Sequence, residues 1–377
     1  MWRVPLLVLA VALAMLLPGA QPRDNLALST PDHFTTIVAG ARATIARVTL
    51  GPPSAPHISR RSRRVAAMVN VETSAPVYDV LYWSGQNTPA ANGSYGPNIS
   101  DPASSWFLEY QRAGAADVLD GILRRAHDPS LIELGLRMFH FGLARQAADG
   151  SFPGSAWPFH GTAMFLSEAA PALLALKASS FAPEFATDLR WDTRRMHKAA
   201  LFMVRSVGGA GKIDDSTKNH RFYEAALALG ATGLLAGDRT LVTWSRHYAW
   251  HGIHLQQRDG VMPEDGGHDS GYQALGMVNA SRYLELLATG HLRKALYAAL
   301  QRGEAWELSR VKNDGSIDQM GDTRTVGCRE NDPTGRCKTV AYDPIFSALA
   351  HWAAISGDQR FSRASHLVYE HSGYGGH

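Results

Sequence analysis

The chain has 377 residues, of which 19% are charged and 45% hydrophobic, and its formal net charge is +3 with 16 histidines counted as neutral. That charge is too mild to favour a nucleic-acid partner, and no basic stripe interleaved with aromatic residues occurs. The length suffices for one large domain or two ordinary ones, and we predict a single domain over 21–377.

The first 20 residues have the order of a secretory signal peptide. Arg3 precedes an apolar stretch over 5–17, and Pro18, Gly19 and Ala20 lead into a polar run. This order predicts export to a secreted or periplasmic location. The apolar stretch is shorter than the roughly 20 residues of a membrane span, so we expect no stable membrane insertion after cleavage. An uncleaved anchor is the alternative.

Turn-forming residues dominate the segment over 51–105. It begins with a Pro-rich run, continues through a basic run at 60–64, and repeats Gly, Asn and Pro from Ser84 to Ser105. We interpret it as a loop-rich N-terminal part of the domain, in which the basic run is a solvated loop.

The rest of the chain has a helical apolar pattern. Apolar residues recur every three or four positions, and β-branched alternation is scarce, which predicts an all-α fold. The Ala- and Leu-rich stretches cover 131–147, 162–178, 222–236, 271–288 and 344–355.

Polar, Gly-rich loops separate these stretches and recur about every 50 to 60 residues, the length of a helical hairpin plus a long loop. They lie at 149–153, 211–215, 259–264 and 313–318. Such hairpins stack as an open solenoid or close as a toroid. We favour an (α/α) toroid, an incomplete barrel with its long loops forming a cleft at one end, because the loops concentrate Trp, His, Asp and Glu.

Three motifs in or after these loops supply candidate site residues. Trp157 and His160 precede the second stretch, where an aromatic ring can stack on a sugar face; a core aromatic cluster is the alternative. The run Lys218-Asn219-His220-Arg221 opens the third stretch, although helix capping alone would explain Asn219. The third motif runs from Glu264 to Gln273 and includes Asp269, which is equally typical of an N-cap, and Tyr272.

The two cysteines, Cys328 and Cys337, flank one polar loop, and in an oxidising compartment this spacing predicts a disulfide. No metal is expected. The cysteines have no His at ligand spacing, and His247, His251 and His254 have no carboxylate at helical spacing, so we interpret those histidines as a polar helix face.

An Asn-His pair at the start of a helix, followed one repeat later by a Tyr-bearing loop, resembles the polysaccharide lyases with (α/α) toroid folds. The alginate lyases and the toroid domains of the heparinase and chondroitin lyase families share this plan. The resemblance covers 110–355. It implies cleavage of an acidic polysaccharide or oligosaccharide by β-elimination at a uronic acid, without a cofactor.

The resemblance also implies roles for individual residues. Asn219 and Arg221 would neutralise the uronate carboxylate, as preorganised donors aimed at the developing charge. His220 would take the proton and Tyr272 would protonate the leaving oxygen. Substrate contacts are expected from Trp157, His160, Lys218, Glu264, Asp269 and Gln273.

Two other functions remain open at this point. A glycoside hydrolase on the same toroid would use paired carboxylates on the two sides of the bond. Candidates are Asp214 or Asp215 with Glu264, Asp265 or Asp269. The third hypothesis is a non-catalytic glycan-binding or envelope-assembly protein.

Overall fold

Helices make up about two thirds of the residues that the structure describes. The computed structural model describes residues 89–96, 107–123, 128–206, 217–331 and 335–373. Within these ranges there are ten α-helices, one 3-10 helix and only isolated β-bridges, so the all-α prediction is confirmed. The predicted signal peptide and most of the loop-rich segment lie outside the described residues, as do Asp214 and Asp215.

A 3-10 helix at Glu109–Ala113 leads into the first α-helix. The α-helices are α1 Gly114–Leu123, α2 Pro129–Leu143, α3 Pro158–Ala178, α4 Ala186–Ser206, α5 Asn219–Ala236, α6 Arg239–Leu255, α7 Ser270–Leu286, α8 Gly290–Arg310, α9 Tyr342–Ser356 and α10 Gln359–His371.

The helices form two layers. In the inner layer α5 packs against α3 on one side and α7 on the other, and α7 packs against α9. These helices are buried on nearly all sides, so they are apolar all round and appear in the sequence as Ala- and Leu-rich stretches. Each is followed by an outer helix, such as α6 or α8, that buries only one face.

The turn from an inner to an outer helix is built by a Gly-Asp pair. Gly237 and Gly357 have φ of 73° and 74° and end α5 and α9 in the left-handed conformation. The next residue, Asp238 or Asp358, accepts hydrogen bonds from the first turn of the outer helix. Glycine tolerates the positive φ and aspartate satisfies free N–H groups, so this pair reverses the chain within two residues.

The recurring Asp-Gly loops adopt one conformation. In each, the Asp side chain accepts a hydrogen bond from the backbone N–H two residues later, and the Gly has a φ between 81° and 103°. A Cβ on each glycine would overlap a backbone carbonyl oxygen of an outer helix. The glycines and carbonyls are Gly150 with Lys198, Gly260 with Arg302, and Gly315 with Leu367. The fourth predicted loop, 211–215, lies outside the described residues.

The inner layer is curved. Glu168 on α3 and Arg282 on α7 lie on either side of α5, yet they form a buried ion pair of 2.8 Å between Oε1 and NH1. These two side chains can meet across α5 only if the helices that carry them, α3 and α7, turn toward each other.

The predicted disulfide between Cys328 and Cys337 is present, in the long loop between α8 and α9. No helix among the described residues is both long enough and apolar enough to cross a membrane.

Candidate active site

The first turns of the inner helices meet at one cleft. His160 on α3, His220 on α5, Tyr272 on α7 and Pro344 on α9 all line a cavity of about 730 Å³. Each inner helix therefore contributes at least one early residue to the same space, and the Trp157, His220 and Tyr272 motifs share one cleft.

The cleft is rich in positive charge. Six cationic and four carboxylate side chains line it, apart from the histidines. The cations are Arg112, Lys218, Arg221, Arg324, Arg329 and Lys338, and the carboxylates are Asp265, Asp269, Asp322 and Glu330. An excess of cations over carboxylates in a concave site favours an anionic ligand.

Two loops are tied together below the cleft and bring His220 to Glu264. The N–H of Asn219 donates to the Pro263 carbonyl over 3.0 Å, and the N–H of Asp265 donates to Thr217 over 2.9 Å. His220 Nδ1 then shares a hydrogen bond of 2.8 Å with Oε2 of Glu264. This bond fixes the orientation of the imidazole ring.

Burial makes His220 a neutral imidazole. The ring is almost fully enclosed, and desolvation holds its pKa well below the usual range. Burial also raises the pKa of Glu264 to about 8, against the lowering influence of Arg324. Nε2 of His220 is buried and has no hydrogen-bond partner among the described residues. Nε2 can accept a proton as a general base when Nδ1 carries the ring hydrogen and donates it to an ionised Glu264, and this form becomes the main one as pH rises past the Glu264 pKa.

Tyr272 lies directly beside this histidine. The ring centroids of His220 and Tyr272 are 4.5 Å apart. Lys338 Nζ donates a hydrogen bond of 2.8 Å to the Tyr272 hydroxyl oxygen. The guanidinium carbon of Arg324 lies 3.3 Å from the ring centroid. An imidazole base and a phenol therefore stand together in a cationic surrounding.

The loop that follows α8 supplies groups that the sequence analysis missed. Arg324 reaches Oε1 of Glu264 over 3.3 Å and also binds Glu330, which in turn pairs with Lys338 over 2.6 Å. The signal in the sequence was the concentration of basic residues around the disulfide, from Arg324 to Lys338.

A second histidine–carboxylate pair lies beside the first. His160 Nδ1 is 3.1 Å from Oε2 of Glu224, and the His160 and His220 rings are 5.9 Å apart. Burial raises the pKa of Glu224, but His160, His220 and Arg112 together lower it by more, so the net pKa lies below its usual value and the carboxylate is ionised. Glu224 was also missed, although it follows His220 by four residues and so lies one helical turn away.

Trp157 and Lys218 lie toward the outside of the cleft. Trp157 is 47% exposed, with Arg221 6.0 Å from its ring centroid. Lys218 pairs with Asp265 over 3.1 Å. Asp269 lines the cleft and also caps α7 by accepting from the Tyr272 N–H over 2.7 Å, and burial raises its pKa to about 7.

Three predicted site residues do not line the cleft. Asn219, predicted as a carboxylate ligand, is buried, and its side chain donates to the Gly252 carbonyl of α6 over 3.2 Å. Gln273, predicted to bind substrate, is buried, accepts from the N–H of Met262 and donates to the carbonyl of Gly303. Glu264 lies behind His220 and orients it instead of contacting substrate.

The histidines of α6 contact aromatic rings. His247, His251 and His254 have ring partners at 5.9, 4.4 and 5.6 Å, namely Trp244, Phe222 and Trp250. Within the described ranges, no three His, Cys, Asp or Glu side chains are grouped as metal ligands.

Neither a protein-family model, nor a curated protein, nor a solved structure matches this chain.

Proposed function

We propose that the protein is an exported polysaccharide lyase that cleaves an acidic, uronic-acid glycan by β-elimination. The observation that carries the proposal is the contact between His220 and Tyr272, with ring centroids 4.5 Å apart, in a cleft where cations outnumber carboxylates. Elimination at a uronate needs a base, an acid and positive charge at one point, and these are the groups present.

In the proposed reaction His220 takes the proton from the carbon beside the uronate carboxylate. The electron pair forms a carbon–carbon double bond, the bond to the glycosidic oxygen breaks, and Tyr272 gives its hydroxyl proton to that oxygen. Lys338 binds the same hydroxyl oxygen as a donor, which leaves the hydroxyl hydrogen for the leaving group. Nε2 is buried, so substrate meets it only after a small shift of the cleft lining.

The uronate carboxylate requires cationic partners other than Asn219, which is bonded to α6. Arg221 and Arg329 line the cleft and are the residues we assign to it. Trp157, exposed at the edge, is suited to stacking on a neighbouring sugar ring.

We also propose that the curved inner layer is part of an (α/α) toroid and that the chain is exported. The Glu168–Arg282 ion pair across α5 supports the curvature, and the Cys328–Cys337 disulfide supports an oxidising compartment.

The test is to incubate the purified protein with a panel of uronic-acid glycans and follow ultraviolet absorbance together with reducing ends. A lyase product has a double bond conjugated to a carboxylate and absorbs in the ultraviolet, whereas a hydrolase produces reducing ends without that band. Tyr272→Phe and His220→Ala should each lower the rate by about 10²- to 10⁴-fold. Tyr297→Phe, on the exposed side of α8, is the matched control and should retain the rate.

Reducing ends without absorbance would instead favour the hydrolase. Binding of a glycan with no bond cleavage would favour the non-catalytic alternative. Either outcome would overturn the lyase proposal.

A further inference from the structure

One carboxylate, Glu330, binds both cations that contact Tyr272. Its Oε2 accepts from Nε of Arg324, and its Oε1 accepts from Nζ of Lys338 over 2.6 Å. Partial burial raises the pKa of Glu330, but the bonds from these two cations lower it by more, so its pKa is below the usual value. The carboxylate is therefore ionised and acts as a bridge between two positive groups.

The two cations hold Tyr272 from different directions. Lys338 reaches its hydroxyl oxygen and Arg324 covers its ring face. Arg324 continues to Glu264, the partner of His220. Among the described residues, no hydrogen bond or ion pair joins Glu330 to Tyr272, so Glu330 can act on the tyrosine only through Arg324 and Lys338.

The disulfide fixes the segment that carries this carboxylate. Cys328 lies two residues before Glu330, and Cys337 directly precedes Lys338. The N–H of Lys338 donates to the carbonyl of Glu330 over 2.9 Å, and Asn331 pairs with Cys337 as an isolated bridge. The disulfide therefore joins the two chain segments that carry Glu330 and Lys338, the residues of the ion pair.

We propose that Glu330 is a positioning residue of this site, which holds Arg324 and Lys338 on Tyr272, and that the Cys328–Cys337 disulfide keeps it in place. The oxidised protein is then the competent form. The kinetic part of this inference depends on the proposed lyase activity, and the exchange measurement described below does not.

Glu330→Gln keeps the shape of the side chain and removes its charge. We expect kcat to fall by about 10²-fold, the cost of a small misplacement of reacting groups. KM for an anionic glycan should be unchanged or lower, because the cleft loses a negative charge. A purely electrostatic role would instead lower KM and leave kcat intact. Glu370→Gln, at an exposed position of α10, is the matched control and should change neither constant.

Loss of the disulfide should have the same kinetic effect as Glu330→Gln. The double variant Cys328→Ser/Cys337→Ser, and the wild type after reduction, should lose kcat with little change in KM. Reoxidation of the reduced wild type should restore kcat. Far-ultraviolet circular dichroism would check that the helices are retained.

Hydrogen exchange with mass spectrometry tests positioning without any activity. In Glu330→Gln, backbone amides over 263–275 should exchange faster than in wild type, although that segment is remote in sequence from the substitution. Wild-type kcat, or unchanged exchange over 263–275 in Glu330→Gln, would overturn the inference. If the wild type eliminates no glycan, the lyase proposal fails and the exchange comparison alone decides the role of Glu330.

Discussion

Two glycines with nearly the same backbone angle φ should respond very differently to alanine. Gly150 has a φ of 91° and Gly154 a φ of 86°. A Cβ on Gly154 would meet no atom within 4 Å, whereas a Cβ on Gly150 would overlap the carbonyl oxygen of Lys198 in α4. The pair therefore separates backbone strain from steric overlap.

Both alanines incur the cost of the left-handed region, about 1–2 kcal/mol. Gly150→Ala must in addition move a loop away from a helix backbone, and overpacking of this kind typically costs 1–3 kcal/mol more. Stiffening of the unfolded chain offsets both variants equally. We therefore expect Gly150→Ala to lose about 2–5 kcal/mol and Gly154→Ala about 1–2 kcal/mol.

Urea denaturation followed by circular dichroism measures the difference, with the slope m checked for constancy. Gly260→Ala should behave like Gly150→Ala, since its Cβ would overlap the carbonyl oxygen of Arg302 in the same way. Equal losses for Gly150→Ala and Gly154→Ala would refute the claim that the Asp-Gly turns are docked on the outer helices.

Three further predictions concern buried groups and the cross-link. Burial raises the pKa of Glu304 well above its usual 4.5, so the folded state binds this proton more tightly than the unfolded state. The contribution of Glu304 to the free energy of unfolding should then fall by about 1.4 kcal/mol per pH unit as pH rises above 4.5 toward the folded pKa, and the neighbouring buried Glu307 adds a slope of the same sign; Glu304→Gln should remove its share of that slope in urea titrations, and an unchanged slope would contradict the assignment. Replacing both Cys328 and Cys337 by Ser should cost roughly 2–3 kcal/mol, measured by denaturation, and no loss would show that the loop closes equally well without the bond. Gln273→Leu strands a buried N–H and a buried carbonyl and should cost about 2–3 kcal/mol without changing KM; a raised KM with full stability would restore its place in substrate binding.

The all-α class was predictable because of how the inner helices are buried. A helix enclosed on all sides, such as α5, contains few polar residues and appears as one Ala- and Leu-rich stretch. The Asp-Gly loops were visible because a required positive φ leaves glycine at a fixed place. The long loop after α8 gave no such periodic pattern, so the approach of Arg324 and Lys338 to Tyr272 was not predicted.

The sequence predicted which motifs line the cleft, but it did not predict which side chain of each motif faces the cleft. Consecutive residues on a helix point about 100° apart. His220 therefore faces the cleft while Asn219 turns to α6, and Tyr272 faces the cleft while Gln273 turns to α8. The rotation of a helix about its axis depends on packing against its neighbours, which a local motif does not encode.

The Asp-Gly turns, which rest on the backbone of an outer helix, also affect the cooperativity of folding. Gly150 follows α2 but rests on α4, Gly260 follows α6 but rests on α8, and Gly315 follows α8 but rests on α10. Gln146 and Gln256 reinforce two of these junctions by bonding both to the turn and to the next outer helix. No hairpin that carries such a turn is a closed folding unit, because its turn is completed by the following one. A chain truncated before α10 would leave the Gly315 turn without its support, and the loss should propagate to the loop that carries the disulfide.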